Sequence, residues 1–124
     1  MRDPFPDLDQ WLADLADLDG VRSAVVDPVQ LITPGVWCKV PSLGLDTFAV
    51  DECRLEVELY LAVADADWRR ARANLMNLLE AVLGHLGNPR VESARFVTLA
   101  LPGGGEVPAL LIPTTLRTTP DPLD

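Results

Sequence analysis

Residues 53–86 restrict the fold more than any other stretch, because one long alternating segment, CRLEVELYLAVAD, leads straight into one long amphipathic segment, DWRRARANLMNLLEAVLGHL. In the first, Leu55, Val57, Leu59, Leu61 and Val63 share one face, while Arg54, Glu56, Glu58, Tyr60 and Ala62 share the other. That period of two predicts a strand with one buried side. In the second, Trp68, Ala71, Leu75, Leu78, Leu79, Val82 and Leu86 recur at helical spacing, with Arg69, Arg70, Arg72, Asn74, Asn77 and Glu80 mostly opposite. Asp65 or Asp67 is placed to cap the helix, and Gly84, or Gly87 followed by Pro89, to end it.

The rest of the chain reads as cover for this pair. Residues 7–18, DLDQWLADLADL, put Leu8, Trp11, Leu12, Leu15 and Leu18 on one helical stripe, with Asp7 and Gln10 spaced as a capping box and Gly20 closing the segment. Residues 21–26, VRSAVV, read as a short edge strand, and Asp27-Pro28 and Thr33-Pro34-Gly35 as turns. A strand over 36–40 carries Trp37. A loop over 41–51, PSLGLDTFAVD, follows, with Leu43, Leu45, Phe48 and Val50 too apolar for an ordinary solvent loop. Such a loop lies either on its own domain or on another subunit. Residues 91–101 form a strand, 102–106 (PGGGE) a hairpin turn, and 107–117 the returning strand, which Pro108 and Pro113 demote to an edge or a bulged strand.

The expected architecture is an α+β fold, a mainly antiparallel sheet with two helices packed on one face. At 124 residues the chain suits a single domain, over 1–118, with a Pro- and Asp-rich tail at 119–124. No run reaches the roughly 20 apolar residues of a membrane helix, and the acidic start, MRDPFPDLDQ, does not read as a secretory signal. With no such signal, Cys38 and Cys53 read as reduced, half-buried thiols on or beside strands; facing each other across the sheet is the other possibility.

A net charge of −9 disfavours sequence-independent binding to nucleic acid, which needs Lys and Arg to displace phosphate counterions. Charge is also sorted along the chain: Asp3, Asp7, Asp9, Asp14, Asp17 and Asp19 crowd the start, and Arg69, Arg70 and Arg72 the first turn of the central helix. These are either two solvated faces or two surfaces that meet, within one chain or between copies.

Catalytic chemistry finds little support. His85, the single histidine, falls in the last helical turn, where a cation suits the helix dipole. Cys38, Cys53 and His85 lack zinc-site spacing, and Ser23, Ser42 and Ser93 lack a nucleophile elbow. The triplet Gly103-Gly104-Gly105 precedes a strand and not a helix, so it suits a hairpin better than a phosphate loop. Alternation explains Glu56 and Glu58 as one exposed strand face. No catalytic residue, metal ligand or cofactor site is expected.

The succession PGVWCKVP, RLEVELYLAVADAD, WRRARANLMNLLEAVLGHL and FVTLALPGGGEVPALLIPTTL resembles the small tail-terminator proteins of long-tailed bacteriophages, particularly those infecting actinobacteria, over most of residues 7–117. The resemblance implies a non-enzymatic virion subunit, made in the host bacterial cytoplasm. Six copies would form a ring on the last ring of tail tube protein, stop its growth and present the other face to the head-side connector or stopper protein. It places the sheet along the ring, the helices outside, and an acidic lumen through which DNA passes without sticking. Leu43, Leu45 and Phe48 of the 41–51 loop and Gly103, Gly104 and Gly105 of the hairpin become candidate axial contacts. Arg69, Arg70 and Arg72 become candidate partners for carboxylates of the next subunit. A head–tail joining protein of the same build, a non-viral adaptor module and a small enzyme are the competing classes.

Overall fold

The computed structural model describes residues 5–45, 53–86 and 93–117. Two helices and five strands follow the order α1 (Phe5–Ala16), β1 (Ser23–Val25), a single 3₁₀ turn (Pro28–Gln30), β2 (Gly35–Leu45), β3 (Cys53–Ala62), α2 (Trp68–Leu86), β4 (Arg95–Ala100) and β5 (Glu106–Arg117). The strands form one sheet in the spatial order β1-β2-β3-β5-β4. All neighbours are antiparallel except β1 and β2. The fold is α+β, as the alternation of periods predicts. Among the described residues no helix is long and apolar enough to cross a membrane.

The central strand and helix behave as their periodicities require. Val57, Leu59, Leu61 and Val63 are fully or almost fully buried. They meet Ala71, Leu75, Leu78 and Val82 of α2, Leu8, Leu12 and Leu15 of α1, Val36 and Cys38 of β2, and Leu110 and Ile112 of β5 in one cluster. Both helices therefore lie on the same face of the sheet. Each such aliphatic side chain contributes about 1.5–3 kcal/mol by leaving water. Asp67 caps α2: its Oδ1 accepts the Arg69 N–H at 3.1 Å, and its carbonyl accepts the Ala71 N–H at 2.9 Å.

Several local expectations are corrected. The first helix starts at Phe5, so Asp7 lies inside its first turn and cannot act as its cap; Gln10 Nε2 instead donates to Asp14 Oδ1 at 2.9 Å. α2 runs through Gly84 to Leu86, so that glycine does not end it, while Gly87 and Pro89 lie outside the described residues. Trp68 begins α2 on the apolar stripe, yet its side chain is about half exposed. Residues 41–45 are not loop. They continue β2, and Leu43 and Leu45 pair in register with Leu55 and Cys53. Between Lys39 and Ser42, β2 advances three residues while β3 advances two, from Glu58 to Glu56. Pro41 therefore sits in a bulge, where its missing N–H costs no ladder bond.

β5 is likewise not an edge strand. It is flanked by β3 and β4, and both pair with it across Ala109, Leu110 and Leu111. The prolines fall outside that doubly paired stretch. Pro108 pairs with Thr98 of β4 just past the end of the β3 register, and Pro113 pairs with Glu58 of β3 beyond the end of β4. A proline is tolerated where only one side of the strand needs a donor.

Among the described residues the opposite sheet face has no helix. Its cluster is smaller: Ala62, Leu99 and Ala109 are buried, with Leu31, Trp37, Tyr60, Val97, Leu101 and Val107 packed around them. Trp37 and Tyr60 stack with ring centroids 4.8 Å apart and planes at 26°, and Trp37 Nε1 donates to the Val26 carbonyl at 2.9 Å. The 26–34 connection supplies partial cover. Ser23 holds it: the Oγ accepts the Ile32 N–H at 2.9 Å and donates to the Ile32 carbonyl at 2.8 Å. Gly35 permits this approach, since a Cβ there would collide with the Ile32 carbonyl and with Ser23 Oγ.

Candidate assembly surfaces

The strand directions separate the projecting parts of the sheet. β2 runs toward Leu45 and β3 returns from Cys53, so this hairpin closes at one end. β4 runs the same way as β3, and the 101–105 turn that joins it to β5 closes at the other end. Leu43 and Leu45 therefore lie near one end of the sheet and Gly103, Gly104 and Gly105 at the opposite end. Phe48 lies outside the described residues.

The glycine turn is built by its backbone. The Gly104 N–H donates to the Leu101 carbonyl and the Leu101 N–H to the Gly105 carbonyl, both at 3.0 Å. Gly104 and Gly105 adopt φ of +92° and +85°, while Gly103 does not need a positive φ. Two of the three glycines thus meet a conformational demand that L side chains resist. All three are exposed, as a contact tip requires.

Past the end of β4, strands β2, β3 and β5 continue together to Leu45, Cys53 and Arg117. Glu56 is exposed and Glu58 half-buried on the helix-free face, with Lys39 opposite Glu58 in register. This half of that face is polar, whereas the half around Trp37, Tyr60 and Leu111 is apolar.

The basic cluster lies on one side of the fold. Arg69, Arg70 and Arg72 are exposed on the first turns of α2, and none forms an ion pair with an acidic side chain among the described residues. Trp68 reaches β4 and meets Phe96 edge-on, with centroids 5.4 Å apart and planes at 77°. A cleft of about 470 Å³ lies between this pair and the ends of β4 and β5, lined also by Val97, Thr98, Glu106 and Val107. The Trp68–Phe96 pair was not legible in advance. Helical spacing puts Trp68 on the apolar stripe of α2, and the position of β4 at the sheet edge leaves the pair half exposed.

A second cleft, of about 490 Å³, opens between Asp19, Pro34, Val63, Asp65 and α2. Its polar groups are two carboxylates and the amides of Asn74 and Asn77, and Asn74 Nδ2 donates to Asp65 Oδ2 at 2.8 Å. Among the described residues no group of three or more His, Cys, Asp or Glu could hold a metal ion. His85 lies half-buried in the last turn of α2. Cys38 is fully buried, and desolvation pushes its thiol up to about 12, far from a thiolate nucleophile at neutral pH. It pairs with Leu59, six residues along β3 from Cys53. That spacing is about 20 Å at 3.3 Å per residue, too far for a disulfide.

No protein-family model, curated protein or solved structure matches the chain.

Proposed function

We propose that this chain is a structural subunit of a long-tailed bacteriophage, forming a hexameric ring that caps the tail tube, ends its polymerisation and joins it to the head-side connector. The observation that carries this reading is the placement of two hairpin ends at opposite ends of one sheet, with two free strand edges at its sides. A ring subunit stacked between two other rings needs two axial surfaces and two lateral ones, and this layout offers four such surfaces. The β2–β3 end, with Leu43 and Leu45, and the Gly103-Gly104-Gly105 tip take the axial roles. The Arg69, Arg70 and Arg72 side takes a lateral one.

The helix-free face refines where a channel would run. Its apolar half, around Trp37 and Tyr60, suits a subunit contact better than a water-filled lumen. Its polar half carries Glu56 and Glu58, whose charge would repel passing DNA. No cofactor has a part in this role.

Electron microscopy of the neck, in virions that carry a labelled copy of the chain, tests the proposal. Six copies in one ring at the head-proximal end of the tail tube is the expected result. A ring on the portal side would assign the chain to the head–tail joining proteins. Absence from particles would reject a virion role and favour an adaptor module.

A further inference from the structure

We propose that copies of this chain join head to tail through the two free edges of the sheet, the β4 edge of one copy seating on the β1 edge of the next. The inference rests on the ring-forming part of the function above and is independent of its phage part.

The large exposed apolar side chains carry it. Among the described residues these are Val26, Val29, Ile32, Trp68, Met76 and Phe96; the first three lie on the 26–34 connection beside β1, and Trp68 and Phe96 lie beside β4. Val26 directly follows β1, and Val29, 73% exposed, stands on the 3₁₀ turn that contacts β1. Ile32 is held against β1 by both hydrogen bonds to Ser23. At the other edge, Phe96 belongs to β4 and Trp68 packs against it, flanking the cleft at Val97 and Thr98. Single exposed apolar residues are ordinary on a protein surface. Their grouping beside the two outermost strands is not, because among the described residues neither of those strands has a second partner.

Charge is sorted along the same axis. α1 packs beside β1 and exposes Asp9 and Asp14; Asp17, Asp19 and Asp27 are exposed nearby, and Arg22 is the sole base between residues 5 and 34. The β4 side exposes Arg69, Arg70, Arg72 and Arg95, with Glu106 the one acid lining the cleft. Beside β1 the five aspartates outnumber Arg22, and beside β4 the four arginines outnumber Glu106 and Asp67, so each edge pairs an apolar patch with a net charge and the two net signs are opposite. Like edges repel and unlike edges attract, so a twofold contact of one edge with itself is disfavoured. The favoured contact is heterologous, and such a contact propagates until a ring closes. The occupant of each edge is therefore a second copy of this chain. β1 has only three residues, so side chains more than backbone pairing would hold the seam.

Sedimentation velocity on the full chain, across concentration and salt, tests the seam with two charge-reversed proteins, Arg69→Glu/Arg72→Glu and Asp9→Lys/Asp14→Lys/Asp17→Lys. Circular dichroism checks that both remain folded. The native chain should associate with increasing concentration and less so at high salt. Each variant should associate roughly tenfold or more weakly. An equimolar mixture should recover association, because one variant is then acidic at both edges and the other basic at both. Recovery on mixing excludes misfolding as the cause of loss. A native chain that stays monomeric to millimolar concentration, or association indifferent to both reversals, would overturn the seam. A chain that associates through this seam but ignores tail tubes would remove only the phage part of the function. Variants that no longer self-associate yet still cap tubes as rings would remove only the seam.

Discussion

The two faces of the sheet are made by alternate residues of the same strands, yet they differ in what covers them. On one face Val36, Cys38, Val57, Leu59, Leu61, Leu110 and Ile112 meet two helices and are almost completely buried. On the other, Trp37, Tyr60 and Val97 surround a small buried group of Ala62, Leu99 and Ala109 that, among the described residues, only the 26–34 connection covers, and they stay partly exposed. One half of this second face is polar, with Lys39, Glu56 and Glu58, and the other half, around Trp37 and Tyr60, is apolar. That apolar half differs from the first face in its cover, and a face left half covered is available for contact with other proteins.

If that contrast is right, truncations on the two faces should separate cleanly. Leu59→Ala removes a side chain with no exposure from between the helices and the sheet, and should cost about 2–5 kcal/mol in urea unfolding. Tyr60→Ala, the next residue but on the other face, removes half of the aromatic stack; with part of its surface already in water, the loss should be about 1–2 kcal/mol. Trp37 fluorescence should shift to the red in that variant as its ring is uncovered. Equal losses at the two positions would mean that the faces are equally built into the core.

Cys38 sharpens the same contrast through pH. Burial on the helix-covered face raises its thiol from 9.0 to about 12, so the folded state holds a proton that the unfolded chain releases. Its contribution to stability is complete below about pH 9 and is lost as pH rises from there toward 12, at about 1.4 kcal/mol per pH unit. Cys38→Ala should flatten that part of the stability profile relative to the native chain. A maleimide should leave Cys38 unmodified until the chain is unfolded. The smallest expected effect is at Asp67, outside both faces: Asp67→Ala removes the α2 cap and should cost about 1 kcal/mol in the same urea experiment.

Much of the covered face could be read from local order, because the period of two in β3 and the helical stripes of α1 and α2 each point to one buried side. The other face could not. Tyr60 and Ala62 stood in the polar half of the β3 alternation, and their apolar partners Leu111, Ala109 and Val97 come from strands that reach them only through the β3-β5-β4 order. Proline misled in the same way. Pro41, Pro108 and Pro113 argue locally for a loop and an edge strand, but a bulge and two singly paired positions accommodate them, and pairing between distant segments decides which applies. The Arg69, Arg70 and Arg72 cluster was visible from sequence. That it shares an edge with Trp68 and Phe96, opposite the acidic α1 edge, required the sheet order.

The most direct test of assembly through opposite edges is the symmetry of the native chain's oligomer, by native mass spectrometry with electron microscopy of the same sample. Closed rings of six copies, with the β1 edge of each subunit against the β4 edge of the next, are expected. A twofold dimer, with like edges facing each other, would contradict both the ring and the seam.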